Sequence, residues 1–254
     1  MVQCKKLCIL KSVFELEREE GTVQIIARIH TDFPTKFGIP RQSGLVSELV
    51  GEIVFEPEFR RPEALIGMEE FSHLWLLWEF SQAKRENWSA TVYPPRLGGK
   101  EKRGVFATRS PFRPNPIGLS CVKLDQVILE GPDAPKLLVS GVDLLDGTPI
   151  YDIKPYLPYA DAHPEALGGF GQAHKEDGIE VVFPEELLQK LPEVKRLAAI
   201  RVLEQDPRAA YNKQPDYVYG MEFAGFDIRF TVQEGVLTVC DVIPTADGDW
   251  KKVK

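Results

Sequence analysis

The stretch from Arg103 to Ser120, RGVFATRSPFRPNPIGLS, restricts this chain more than any other. Pro111, Pro114 and Pro116 each remove a backbone donor, fix φ and push the preceding residue out of the helical region. No helix or regular ladder can run through such a segment, so Ser110, Arg113 and Asn115 are held extended or in turns. Val105–Thr108, just before it, has the β-branched and aromatic bias of a strand. The expectation is a strand that runs out into a stiff loop. Arg103, Arg109 and Arg113 sit in and around that loop, and preorganised guanidinium groups suit an anionic or planar polar ligand. A proline-rich turn with solvated arginines accounts for the same residues about equally well.

Around this stretch the chain is a series of short strands. Thr22–His30 and Gly51–Phe55 read as two of them, joined by a loop punctuated by Pro34, Gly38, Pro40 and Gly44. Arg61–Met68 is a short helix or turn, with Pro62 suited to a first helical position. In 71–81, FSHLWLLWEFS, nearly every side chain from Leu74 to Phe80 is apolar, Glu79 being the exception. That pattern predicts a strand buried on both faces. Cys121–Leu129 and Lys136–Leu144 follow as strands around the turn EGPDAP, and then Tyr151–Tyr156. Short strands, long loops and little helical periodicity before residue 160 predict a mainly β architecture, an antiparallel barrel or sandwich. Residues 162–178 shift to Ala, Gly, His and charge and read as a linker. Ile179–Phe183 is a strand, Pro184–Leu203 has helical spacing, and Tyr217–Pro244 is a three-strand meander turning at Gly225 and at Glu234-Gly235. The organisation expected is an extension (1–22), a β-barrel domain (23–161), a linker (162–178) and a small α+β domain (179–254).

Composition narrows the function. Of 254 residues, 43% are hydrophobic and 27% charged, ordinary for a soluble globular protein. No run approaches the ~18 apolar residues of a membrane span, and the charge-interrupted N-terminus does not suit a signal peptide. A cytoplasmic location is expected. Cys4, Cys8, Cys121 and Cys240 form no CxxC pair and no zinc spacing, so no metal site is expected. His73, in the apolar run, reads as a satisfied structural histidine rather than a ligand, and His163 and His174 find no partner that would make either a ligand. GxGxxG, the P-loop, HExxH and GxSxG are absent, which excludes a Rossmann-type hold on a nucleotide. The net charge of −7 argues against nucleic acid. Residues 94–120 depart from it, with Arg96, Lys100, Lys102, Arg103, Arg109 and Arg113 against Glu101.

Five blocks in order carry a resemblance: KFGIPRQSGLV (36–46), FSHLWLLW (71–78), PPRLGG (94–99), GVFATRSPFRPNPIGLS (104–120) and DLLDGTPIYDIKPYLPYAD (143–161). Together they closely resemble the TsaA/TrmO (YaeB) family, tRNA methyltransferases that use S-adenosylmethionine on a β-barrel. RVLEQDPRAAY (201–211) resembles the C-terminal domain of its bacterial members. The resemblance implies a single-sheet antiparallel barrel with a small α+β domain, working as a homodimer. It implies methyl transfer to N6 of threonylcarbamoyl-adenosine beside the anticodon of a threonine tRNA. The family's cofactor contacts carry over to Gln42, Ser43 and Gly44; Ser81 and Gln82; Arg109 and Leu119; and Ser140, Gly141, Val142 and Asp143. The family often has His where this chain has Ser81, and Pro where it has Ser43. Residues 1–22 have no counterpart.

A sulfonium donor brings its own charge and leaving group, so the protein's task is alignment. Asp143 suits the cofactor's ammonium or ribose, and Arg109 its carboxylate. Asp143 and Asp146 are weak catalytic candidates, and turn capping around Gly147 and Pro149 is the plainer account of both. Arg96, Arg103 and Arg113 suit tRNA phosphate better than cofactor. The alternative is a non-catalytic cofactor- or RNA-binding barrel. Intact RSPFRPNPIG and DLLDGTPIYDIKPY blocks favour the enzyme.

Overall fold

A computed structural model describes residues 23–83, 87–172, 178–208 and 217–245. The expected extension 1–22, with Cys4 and Cys8, lies outside the described residues, as do His174 and part of the 201–211 block. In chain order the strands are β1 (Ala27–His30), β2 (Val50–Phe55), β3 (His73–Glu79), β4 (Thr91–Val92), β5 (Arg103–Gly104), β6 (Ile117–Ile128), β7 (Lys136–Ser140), β8 (Thr148–Pro155), β9 (Glu180–Val182), β10 (Tyr219–Phe223), β11 (Phe226–Gln233) and β12 (Val236–Pro244). Six of them close a barrel in the order β1-β2-β7-β6-β3-β8, with every neighbouring pair antiparallel. Closure leaves no free edge and decides between barrel and sandwich.

β3 corrects an expectation. It is not buried on both faces: Leu74, Leu76 and Trp78 point into the core, while His73, Trp75, Leu77 and Glu79 are only half-buried. A barrel has one interior, so alternation returns even in an apolar run. The outer face is partly covered by the chain leaving the barrel. Trp75 Nε1 donates to Asp161 at 2.9 Å, and Trp75 lies 5.8 Å from the Tyr156 ring. A second correction concerns 105–108. β5 is only a two-residue bridge to β4, and Val105–Ala107 is one turn of 3₁₀ helix rather than a strand. The Thr108 hydroxyl and N–H both bond the Val105 carbonyl (2.8 and 3.2 Å), closing a turn where no neighbouring strand offers a ladder.

β6 begins earlier than its pattern suggested, directly after Pro116, and β7 ends at Ser140 because Gly141 turns the chain off at φ +75°. The helices α1 (Pro158–Asp161) and α2 (Gly169–Gln172) fall beside or within the expected linker. The expected 184–203 helix is two, α3 (Glu185–Leu188) and α4 (Glu193–Glu204), because Pro192 has no N–H to continue the first and caps the second. β10, β11 and β12 form the expected meander, extended by β9 running parallel to β12.

The loop between β1 and β2 lies between the two sheets. Phe33 meets Phe223 with ring centroids 5.3 Å apart, and Phe37 stacks on Phe230 at 6.4 Å. Lys195 Nζ donates to Asp32 at 2.6 Å, and the Ala224 N–H to the Asp32 carbonyl at 2.9 Å. Gly38, at φ +96°, passes so close to Met221 that a Cβ would lie 2.4 Å from its sulfur.

Candidate active site

The same loop carries Gln42, Ser43 and Gly44 to the barrel rim. The Gly44 N–H donates to the Gly141 carbonyl at 2.8 Å, the Gly141 N–H to the Leu49 carbonyl at 2.8 Å, and the Cys121 N–H to Ser43 Oγ at 3.0 Å. The Gln-Ser-Gly loop, the start of β6 and the segment after β7 are thereby tied side by side.

At their junction runs a chain of hydrogen bonds. Trp78 Nε1 donates to Ser120 Oγ at 2.9 Å, and Ser120 Oγ donates to Asp143 Oδ1 at 2.6 Å. The strand register makes this possible, because Trp78 pairs with Gly118 and its indole fills the space a side chain there would take. Burial pushes the Asp143 carboxyl up to about 6; hydrogen bonds from Ser120, from its own N–H and from the Ser43 N–H, and the Arg109 charge, act in the opposite direction. A carboxylate held in this way favours a cationic group as its ligand.

Asp143 lines a cavity of about 750 Å³ together with Gln42, Ser81, Gln82, Arg109 and Leu119. Six of the residues expected to touch the cofactor thus meet around one space. The other five do not line it: Ser43, Gly44, Ser140, Gly141 and Val142 form the backing that positions Asp143. Trp78, Phe80, Phe112 and Ile117 supply apolar wall. Arg109 Nη1 donates to Gln42 Oε1, locking the proline loop to the β1–β2 loop.

A second, larger groove of about 1820 Å³ adjoins it. The two share a wall of Arg41, Gln42, Glu79, Thr108, Arg109, Phe112 and Arg113. Arg113 is anchored by donating to the Thr108 carbonyl at 3.1 Å. Arg103 lines neither space and pairs with Glu101 at 2.8 Å; the Arg96 side chain is outside the described residues. Asp146 lies apart from both spaces, accepting from the Thr31 N–H at 3.0 Å and facing His30 Nδ1 at 3.2 Å.

Sequence reasoning missed Trp78, Ser120 and Glu79. The signal for Glu79 was present, as the lone charge in an apolar run. It is a carboxylate on the shared wall and accepts the Tyr151 hydroxyl; burial first, then this bond and the Glu79 charge, push Tyr151 up to about 12.

A family model described as the tRNA-methyltransferase O N-terminal domain matches residues 28–162, and one described as the TrmO C-terminal domain matches 176–245. The chain belongs to the TrmO family. Among its relatives, the tRNA (adenine(37)-N6)-methyltransferase of Escherichia coli K12 is 39% identical over 227 residues, covering 86% of this chain and 96% of that protein. A Pyrococcus abyssi protein named as a probable S-adenosyl-L-methionine-binding protein is 37% identical over 177 residues, 65% of this chain and 90% of that one. A crystal structure of TrmO from Pseudomonas aeruginosa superposes with a TM-score of 0.71 at 38% identity, covering 91% of this chain and all of that one.

Proposed function

We propose that the chain transfers a methyl group from S-adenosylmethionine to N6 of a tRNA adenosine that already carries a threonylcarbamoyl group, beside the anticodon of a threonine tRNA. The observation that carries this reading is the common wall: one cavity of cofactor size opens beside a larger groove, and the same arginines face both. The cavity fits the cofactor in kind. It offers a half-buried carboxylate for a cationic end, apolar walls for the adenine, and Arg109 for a carboxylate. When bound, that group supplies an activated methyl on a positively charged sulfur.

The protein's own residues do the rest. Gln42, Ser81, Gln82, Arg109, Leu119 and Asp143 hold and orient the donor, backed by Ser43, Gly44, Ser140, Gly141 and Val142. Arg113, facing both spaces, reads the threonine carboxylate. The acceptor N–H is made acidic by its carbamoyl neighbour, and Glu79 is the carboxylate on the shared wall that takes the proton, with Tyr151 holding it in place. The barrel at 23–161 is the catalytic domain and 179–254 the accessory one. The half-apolar outer face of β3 suits a homodimer contact, and the cytoplasm is where the substrate is found.

The test is labelled-cofactor transfer to threonine tRNA from cells with and without the threonylcarbamoyl modification. Transfer only to the modified tRNA is expected, and equal transfer to both refutes the substrate assignment. Glu79→Gln should lower kcat by roughly 10²–10⁴-fold with cofactor affinity kept; cofactor binding without transfer by the unsubstituted protein would favour a binding module instead.

A further inference from the structure

The larger groove holds more than an acceptor base requires. At about 1820 Å³ it exceeds the 300–1,000 Å³ usual for a single small ligand. Its walls carry aromatic rings that a soluble chain would ordinarily bury: Phe106 is 71% exposed, Trp88 53%, Tyr93 52% and Phe112 37%. Phe170, on the short helix α2, closes the far side.

Cations lie over these rings. Lys102 Nζ is 5.8 Å from the Tyr93 centroid, and the guanidinium carbons of Arg113 and Arg103 are each 6.0 Å from the rings of Phe106 and Phe170. Trp88 and Phe106 lie 6.0 Å apart with planes 32° from parallel. Arg41, Arg109 and Arg113 line the same trough as these rings, and rings beside cations suit single-stranded RNA: bases stack on the rings while phosphates meet the cations. A second copy of this chain suits the trough less well, because its net charge of −7 is not concentrated into a strand of regularly spaced anions.

We infer that the groove is a stacking platform for unpaired RNA nucleotides flanking the target adenosine, with Trp88 and Phe106 as its principal rings and Tyr93, Phe112 and Phe170 extending it. The inference rests on the functional reading above and deepens it. It assigns recognition of the loop to aromatic side chains outside the cofactor cavity. Because the groove shares a wall with that cavity, nucleotides stacked along it present one base at the shared wall.

The experiment compares Trp88→Ala, Phe106→Ala and Trp88→Phe with the unsubstituted chain. Three quantities are read: fluorescence-anisotropy affinity for a threonine tRNA anticodon stem-loop carrying the modified adenosine, transfer to the free modified nucleoside, and calorimetric affinity for S-adenosylmethionine. Each alanine variant should weaken stem-loop binding by about 5- to 150-fold, the range for loss of one base–aromatic stack. Trp88→Phe, which keeps a ring, should restore most of it. Nucleoside transfer should not change in the Trp88 variants, and cofactor affinity should not change in any. Unchanged stem-loop affinity in both alanine variants would overturn the inference. So would a parallel loss for the nucleoside in Trp88→Ala, which would make that ring part of the acceptor pocket. Loss of RNA binding only together with a change in sedimented mass would assign the groove to a second copy and overturn it too. An unsubstituted protein that binds the stem-loop through these rings yet transfers no methyl would support the inference while overturning the functional reading.

Discussion

Asp143 is costly in this fold when it is ionised. Its carboxyl is raised from the usual ~3.9 to about 6 by burial. A raised folded-state value contributes stability below the unfolded value that is lost as pH climbs through the folded one. The penalty is therefore nearly complete once the pH is well above 6. Asp143→Asn removes the titration. Its stability relative to the unsubstituted chain should rise by about 2 kcal/mol between pH 4 and pH 7, while cofactor affinity falls. Thermal melts of both proteins across that range check it, and a difference that stays flat with pH would dismiss burial as the cause. Asp143 shows where residue patterns stop being informative. The turn at Asp146-Gly147 was legible from its residue types, but Asp143, read as a cap for it, accepts instead from Ser120 and the Ser43 N–H. The charge state of Asp143 was not legible, because it is set by burial, opposed by hydrogen bonds from Ser120 and Ser43, and only the folded register creates either.

Among the elements, β3 and β6 do the positioning. Trp78 reaches Ser120 only because the residue opposite it is Gly118, where a Cβ would lie 2.2 Å from the indole. Gly118→Ala must displace the tryptophan. It should cost roughly 1–3 kcal/mol by overpacking and should weaken cofactor binding, since Ser120 then loses the donor that orients it toward Asp143. Denaturant titration and calorimetry on one variant test both, and a destabilised protein with undiminished cofactor affinity would separate the tryptophan from the site. The strands themselves were largely legible from alternation and turn residues. The exceptions are instructive. The 105–108 segment has strand composition but keeps only one bond to its neighbour, Val105 N–H to the Ala90 carbonyl, before it turns, and β3 has a two-sided apolar pattern although a closed barrel offers one interior. Composition records what a residue tolerates, whereas pairing is decided elsewhere in the chain.

For the whole molecule, the decisive arrangement is the loop that passes from the second sheet to the smaller cavity. Phe33 and Phe223 are fully buried against each other, and one apolar core runs through both sheets. The family blocks made both parts legible, but not that the first part's binding loop rests on the second. A single cooperative unfolding transition is expected. Phe223→Ala should cost about 3–5 kcal/mol and should loosen cofactor binding although the residue lies outside the cavity. Two resolved calorimetric transitions, or a variant with unaltered cofactor affinity, would show that the loop keeps its shape unaided.

The arginine wall has a consequence before any contact forms. The chain is acidic as a whole, while Arg41, Arg109 and Arg113 crowd the seam between the two cavities. A polyanion diffusing toward such a surface is repelled from most directions and drawn in along one. Productive encounters should therefore be preselected in orientation, and collisions elsewhere should be short-lived. Added salt should slow association steeply and leave dissociation nearly untouched. Stopped-flow traces taken at several ionic strengths distinguish this from attraction spread evenly over the surface, which would lower both the lifetime of the complex and its rate of formation.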